Sequence, residues 1–272
     1  MLGVVLGGLP RHVVAVASGK GGVGKSTVAV NVALALATAC KMRVGLADVD
    51  VFGPSLPTMM NVKSVEPPAM DAETKLLDPV INYGVATSSL GFLMDEAAQP
   101  AVWRGPMVMS MVKQLVWGVE WGPTEILVID TPPGTGDALL TLTQEVPLSG
   151  AVIVSTPQEV AVVDAIKGAN MFRKLRVPLL GLVENMAYYT CPSCGERDDV
   201  FGAGGLDKLN AAVDGDPVPL LGQLPLSSGV RAAADAGTPI VVADPQSEAA
   251  QAYVRIASQL LDALEAGLQP RR

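Results

Sequence analysis

The chain has 272 residues, of which 49% are apolar and 17% charged. That excludes a disordered or mucin-like chain and predicts a sizeable core, with roughly three quarters of the unfolded surface buried. Lys and Arg number 19 against 27 Asp and Glu, a formal charge of -8, which argues against nucleic-acid binding by phosphate neutralisation and against an anionic membrane surface.

In chain order, MLGVVLGGLPRH opens with no basic residue ahead of its apolar ones and no Arg/Ser-rich amphipathic pattern, so neither a signal peptide nor an intact transit peptide is legible. Strands are predicted at HVVAVA (12–17), RVGLAD (43–48), EILVID (125–130), AVIVS (151–155) and LLGLVE (179–184). Continuous apolar runs of this length suit a parallel sheet covered on both faces. Helical stretches at 26–39, 138–146, 160–175 and 247–266 alternate with them, which is the order of a doubly wound, mainly parallel α/β fold with helices on both faces. Val28 to Cys40, the longest apolar stretch, is 13 residues and interrupted by Asn31 and Thr38. It is short of the roughly 20 residues that span a bilayer, and no stable membrane insertion is expected. Without an internal repeat or low-complexity linker, residues 1–272 read as one domain. The stretches 52–82 and 186–204 are the least regular and are expected to be long loops.

The first strand runs into Gly19-Lys20-Gly21-Gly22-Val23-Gly24-Lys25-Ser26, followed by TVAVNVALALA. A G-x-x-x-x-G-K-[ST] motif between a strand and a helix is a P-loop. Its backbone N–H groups, among them those of Gly21, Gly22, Val23, Gly24 and Thr27, turn onto phosphate oxygens. Lys25 reaches the β/γ-phosphates and Ser26 ligates Mg²⁺. ATP with Mg²⁺ is the expected ligand. A second lysine, Lys20, is not needed by a simple P-loop, and KGGVGKST resembles the deviant Walker A of the dimeric ATPases related to nitrogenase iron protein and MinD. The resemblance implies a homodimer in which Lys20 reaches the partner's nucleotide. It also makes ADVDVFGPS switch I, with Asp50 orienting or deprotonating the attacking water and Asp48 near the magnesium shell. Asp130, in ILVIDTPPGTGD, ends a strand after four apolar residues and is expected to hold Mg²⁺ through water, with Thr131 to Asp137 as switch II. Asp137 also reads as a helix N-cap.

Cys191-Pro192-Ser193-Cys194-Gly195 lies just beyond the strand ending LVEN. A tetrahedral Zn²⁺ or a [4Fe–4S] cluster wants four thiolates or near equivalents. Cys40 is expected to pack as a small hydrophobe beside the first helix, and the single histidine, His12, to be structural or exposed. A two-fold dimer doubles Cys191 and Cys194 to four ligands, which favours a site shared between subunits; both metals satisfy that count.

With the P-loop, ADVDVFGPS, DTPPGTGD and NMAYYTCPSCGE…FGAGG in one frame, the chain resembles the Mrp/ApbC-type iron–sulfur carrier P-loop ATPases along nearly all its length. NYGVATSSLGFL, AVWRGPMVMS and STPQEVAVVDAIKGANMFRKL look most like the mitochondrial nucleotide-binding-protein-like branch associated with respiratory complex I assembly. The resemblance implies slow ATP hydrolysis by Lys20, Lys25 and Asp50, and a labile [4Fe–4S] cluster bridging two subunits through Cys191 and Cys194 of each. It implies iron–sulfur apoprotein clients, complex I subunits among them, and residence in the mitochondrial matrix or the cytoplasm. It also implies that Asn185 reads the adenine edge while Pro225, in LPLS, packs against the base; Trp103-Arg104-Gly105 matches a family signature with no physical role assigned. Departures are the missing N-terminal cysteine cluster of eukaryotic cytosolic members and the missing small domain that precedes many bacterial ones, which should narrow the clients. Two rivals remain open, a MinD/ParA-type positioning ATPase and a zinc-stapled nucleotide-binding scaffold. Against the first, the closing helix carries Asp262 and Glu265, with its two arginines only at the end, and Leu260, Leu261, Leu264 and Leu268 read as its core face.

Overall fold

The computed structural model describes residues 7–51, 53–63, 67–92 and 105–268, apart from the side chains of residues 105 and 268. Phe52, the Trp103–Arg104 pair and the two final arginines therefore lie outside the described residues.

The chain begins with β1 (His12–Ala17), α1 (Lys25–Thr38), β2 (Val44–Asp48) and the short α2 (Leu56–Met59). It continues through β3 (Val80–Asn82), β4 (Val85–Ser89), α3 (Gly105–Trp117), β5 (Ile126–Asp130), α4 (Asp137–Glu145), β6 (Gly150–Ser155) and α5 (Glu159–Lys174). The last third comprises β7 (Leu179–Thr190), β8 (Arg197–Asp198), α6 (Gly205–Ala212), β9 (Leu220–Pro225), α7 (Ser228–Asp235), α8 (Ile240–Ala243) and α9 (Glu248–Leu268). The sheet runs β3-β4-β2-β5-β1-β6-β7, with β9 added beside β7. Every pairing from β4 to β9 is parallel, and only β3 against β4 and β8 against β7 are antiparallel.

The apolar runs are continuous because each strand feeds two cores. Successive side chains on a strand point to opposite faces, so in β1 Val14 and Val16 join α1, α8 and α9, whereas Val13, Ala15 and Ala17 join α3, α4, α5 and α6. β5 divides in the same way, Ile126 and Val128 to one side and Leu127 and Ile129 to the other. α1 is buried from Val28 to Leu36, because it is sandwiched between the sheet and α9; a helix apolar all round has to be. Cys40, just after α1, is half-buried against the same core, and His12 is buried at the start of β1. In α9, Leu260 and Leu264 are buried and Leu261 packs on them.

The doubly wound, mainly parallel architecture is as expected, and the predicted strands fall within a residue of β1, β2, β5 and β6. α2 and β3 fall within the expected loop over 52–82, and α6, β9, α7 and α8 are unassigned from sequence; three further differences bear on the site. Residues 80–89 form a hairpin whose turn, Tyr83-Gly84, takes positive φ at both positions, the geometry that matches strand twist. Residues 105–117, unassigned from sequence, are α3. The expected loop over 186–204 is the largest correction: β7 continues to Thr190, and β8 returns alongside it, so the cysteines sit at the tip of a β-hairpin. Asp137 is the first residue inside α4 and not its cap, which is Gly136; its carboxylate there still suits the helix dipole.

Candidate functional site

The carboxyl ends of β1, β2 and β5 lie side by side, with Asp48 paired in register to Asp130 and Asp130 to Val16. Open α/β sheets gather ligands at this edge. The loop after β1 turns on Gly22 and Gly24, both in the left-handed region, with φ of 83° and 82°. At Gly24 a Cβ would also lie 2.3 Å from the Asn185 side-chain nitrogen. Gly19 is small for a different reason: a Cβ there would collide with the backbone of Asp164 in α5. Gly24 caps α1 without a side-chain bond, and the first helical hydrogen bond runs from the Val28 N–H to the Gly24 carbonyl. The N–H groups of Lys25, Ser26 and Thr27 thus open onto the loop, together with the dipole of a 14-residue helix. Gly21 and Gly22 are exposed along its rim, Val23 is buried beneath, and Lys20 is half-buried with its carbonyl accepting from the Ser18 hydroxyl at 2.9 Å.

Lys25 is 6% exposed, and its ammonium pairs with the Asp130 carboxylate while donating to the Ser26 hydroxyl at 3.2 Å. Ser26 and Asp130 are the residues that motif logic gives to Mg²⁺, and both are hard oxygen donors of the kind that metal takes beside phosphate and water. Two buried carboxylates, Asp48 and Asp130, have Lys25 as their compensating charge among the described residues, so the donor set fits a divalent cation. Thr131 and Gly134, in the segment expected to be switch II, are tied to β1, donating to the carbonyls of Val16 and Ser18 at 3.0 and 2.9 Å.

Asp48, beside Asp130 in register, is held by backbone and hydroxyl donors. Its Oδ1 accepts from the Asp50 N–H at 3.1 Å, and its Oδ2 from the N–H groups of Ser55 and Leu56 at 3.0 and 3.2 Å and from the Ser89 hydroxyl at 3.4 Å. It therefore anchors the segment carrying Asp50, which borders a cavity of about 630 Å³ between α3 and the start of α4. Burial, and then the Asp130 carboxylate, push the Asp48 carboxyl up to about 7 against the pull of Leu56 N–H, Lys25 and Asp50 N–H. A carboxyl raised on folding gives its full stabilisation below the unfolded value of about 3.9 and loses it as pH climbs through the folded one. The melting temperature of the nucleotide-free chain is expected to fall between about pH 4 and 7, the unfolded and folded values of that carboxyl, by about 2 °C or more for each kcal/mol lost. Asp48→Asn should flatten that slope; an equally steep fall in the variant would refute the assignment.

Asn185 lies in β7, 7% exposed, and donates its side-chain N–H to the Val23 carbonyl at 2.8 Å. A cavity of about 540 Å³ opens beside it, walled by Gly24, Thr27, Asn185, Met186, Pro225 and Leu226. The two residues expected at the base, Asn185 and Pro225, are thus brought together next to the phosphate loop. Sequence reading missed the outer wall, formed by α7 with its Arg231–Asp235 pair at 2.8 Å. The available signal was Ser227, two residues after Pro225, which stands in extended backbone as the N-cap of α7.

At the far end of β7, the Cys191 N–H donates to the Glu196 carbonyl at 2.9 Å and the Gly195 N–H to the Cys191 carbonyl at 2.8 Å. Gly195 closes the turn with φ 73°. The backbone N–H groups of Cys194 and then Ser193 hold the Cys191 thiol below its ordinary range, a knuckle whose N–H groups point at the sulfur. Cys191 is half-buried and Cys194 exposed. Among the described residues no cluster of three or more His, Cys, Asp or Glu could hold a metal, so neither Cys40 nor His12 completes a set. Two thiolates on an exposed tip fit a cluster only if further ligands come from outside the chain.

The P-loop between β1 and α1, at the edge of a parallel sheet, defines the class as a P-loop NTPase fold. A family model described as "ParA: NUBPL iron-transfer P-loop NTPase" matches residues 10–261, and the chain belongs to that family. It is 52% identical over 256 residues to the mouse iron-sulfur cluster transfer protein NUBPL, covering 94% of this chain and 78% of that one. It is 49% identical to an Arabidopsis thaliana mitochondrial iron-sulfur protein required for NADH dehydrogenase, over 94% of this chain and 79% of the relative. Among solved structures, the Archaeoglobus fulgidus nucleotide-binding protein in complex with ADP superposes with a TM-score of 0.71 at 35% identity, covering 88% of this chain and 90% of that one.

Proposed function

We propose that this chain is an ATP-dependent carrier that assembles a [4Fe–4S] cluster or hands it to apoproteins, the cluster held between two copies of the chain by Cys191 and Cys194 of each. The observation that carries this reading is the thiol pair on an exposed hairpin, grown from the strand that grips the phosphate loop, with no further ligand in reach among the described residues. The cluster is cargo: an exposed tip lets a client approach without opening the sheet. The curated relatives carry names of iron–sulfur transfer and of a mitochondrial requirement for NADH dehydrogenase, which supports complex I subunits as clients and favours the mitochondrial matrix over the cytoplasm as compartment. We read 1–272 as one ATPase domain. No described helix is long and apolar enough to cross a membrane.

The nucleotide site follows phosphoryl-transfer logic, in which positioning and charge stabilisation do the work. On nucleotide binding Lys25 would leave Asp130 for the β/γ-phosphates, and the loop N–H groups of 21–27 would hold the phosphate oxygens. Ser26, and Asp130 through water, would hold Mg²⁺, which neutralises developing charge. Asp50, fixed by Asp48, would orient the attacking water, and Lys20 of the second copy would complete the charge, giving slow hydrolysis. Asn185 and Pro225 would flank the base.

Anaerobic purification with metal and sulfide analysis tests the reading. Iron and acid-labile sulfide in near-equal amounts, about four of each per two chains, are expected. Zinc without sulfide would replace the carrier with a stapled scaffold.

A further inference from the structure

β7 joins the phosphate loop to the thiols, and it does so through an irregularity. Its register with β6 ends at Ser155 opposite Glu184, and its register with β9 slips between Glu184 and Tyr188. Within the slip Met186 takes φ 53°, a left-handed conformation uncommon outside glycine. The bulge turns Asn185 onto the Val23 carbonyl and redirects the rest of the strand toward Cys191, as bulges do.

A chain of polar contacts spans this bulge. Glu184 is 3% exposed; its Oε2 accepts from the Gln223 side-chain N–H at 2.7 Å, and its Oε1 has no hydrogen-bond partner among the described residues. The Gln223 Oε1 accepts from Arg197 at 3.3 Å. The Arg197 guanidinium lies 3.6 Å from the centre of the Tyr188 ring, and Arg197 pairs across the hairpin with Thr190, next to Cys191. A strand that only had to pack would be better served by an apolar side chain at 184, since a half-satisfied buried carboxylate costs stability.

We propose that Glu184, Gln223 and Arg197 are positioning residues for the thiol pair: they fasten the returning strand of the cysteine hairpin to β7 beside Asn185, so that movement of the phosphate loop on nucleotide binding is passed to Cys191 and Cys194. The proposal rests on the nucleotide and thiol roles given above and adds the physical link between them. Gln223 and Arg197 are exposed, so changing them need not disturb the core.

The test uses the reduced, cluster-free full chain. Alkylation rates of Cys191 and Cys194 are measured peptide by peptide, without nucleotide and with saturating Mg-ADP or a non-hydrolysable Mg-ATP analogue, with Cys40 as reference. In the wild type, nucleotide should change the hairpin rates at least about fivefold, the lower end of ordinary coupling between sites. Gln223→Leu and Arg197→Ala should remove most of that response while nucleotide Kd stays within about twofold, and Arg197→Lys, which keeps a cation over the ring, should restore part of it. Unresponsive thiols in a wild-type chain shown by titration to be nucleotide-saturated would overturn the proposal, as would a full response in the Gln223→Leu/Arg197→Ala double variant. Cluster content plays no part in the measurement. Failure of the carrier reading appears instead as absent iron and sulfide.

Discussion

Cys191→Ser and Cys194→Ser are each expected to abolish stable cluster binding, whereas Cys40→Ser should leave it intact at some cost in packing. The reason is ligand number. A cubane cluster takes four thiolates, the described residues offer no third candidate near the hairpin, and removing one of two ligands per chain removes half of a shared set. Cys40 is half-buried beside α1, against the core shared with α9, where burial and then Asp262 raise its thiol above the ordinary range; an inert structural thiol behaves so. Cluster content should approach one per two chains in the wild type, and reconstitution should shift a sizing column profile from monomer to dimer. ATP binding should survive all three substitutions. A cluster held at full occupancy by a monomer, or retained in the Cys191→Ser/Cys194→Ser double variant, would exclude the shared site.

Lys25→Ala should weaken ATP binding or turnover at least about tenfold, equivalent to about 1.4 kcal/mol, and it should also destabilise the nucleotide-free chain. The second effect follows from the buried ion pair. With Lys25 6% and Asp130 2% exposed at the side chain, deleting the ammonium leaves a carboxylate uncompensated beside Asp48, a loss of roughly 3–5 kcal/mol for a broken buried pair. Asp130→Asn on the Lys25→Ala background should return most of that stability and none of the binding. Equal melting temperatures for wild type and Lys25→Ala would remove Lys25 from the stabilising role, and unchanged ATP affinity and turnover would remove it from the nucleotide site. Lys20→Ala is expected to lower kcat more than affinity, because a residue that reaches another copy's phosphates contributes once two sites face each other.

The central strands were legible because each is buried on both faces, so β1 and β5 read as unbroken apolar runs. β4 was not, because its second half, Thr87-Ser88-Ser89, is polar yet buried, and hydrophobic pattern is blind to side chains whose hydrogen bonds go to neighbouring strands, such as Thr87 to the Val80 carbonyl. The end of β7 was misjudged for a related reason. Glu184-Asn185 reads as a polar stop, whereas Asn185 is spent on the phosphate loop and Glu184 on Gln223. The β-favouring Tyr188, Tyr189 and Thr190 beyond them were the sign that the strand resumes. In the site, motif spacing located Lys25, Ser26 and Asp130, because a P-loop is contiguous. It could not give the long-range contacts: the Lys25–Asp130 pair, the four groups that converge on Asp48, or the cavity wall contributed by α7.

β7 outruns its neighbour β6 by the six residues from Asn185 to Thr190, roughly 20 Å of strand at about 3.3 Å per residue. Beyond β6 it is braced by β9 as far as Tyr188 and then by β8, and on the roles proposed above it has its foot at the phosphate loop and its tip at the thiols. A tilt of about 5° at the foot carries a tip roughly 20 Å away through about 2 Å, close to the ~2.3 Å length of a metal–sulfur bond. If the proposed cargo sits on this tip, a small tilt that β7 shares with β9 would be large enough there to make or release one sulfur ligand, while nucleotide and cargo would stay too far apart to react with each other.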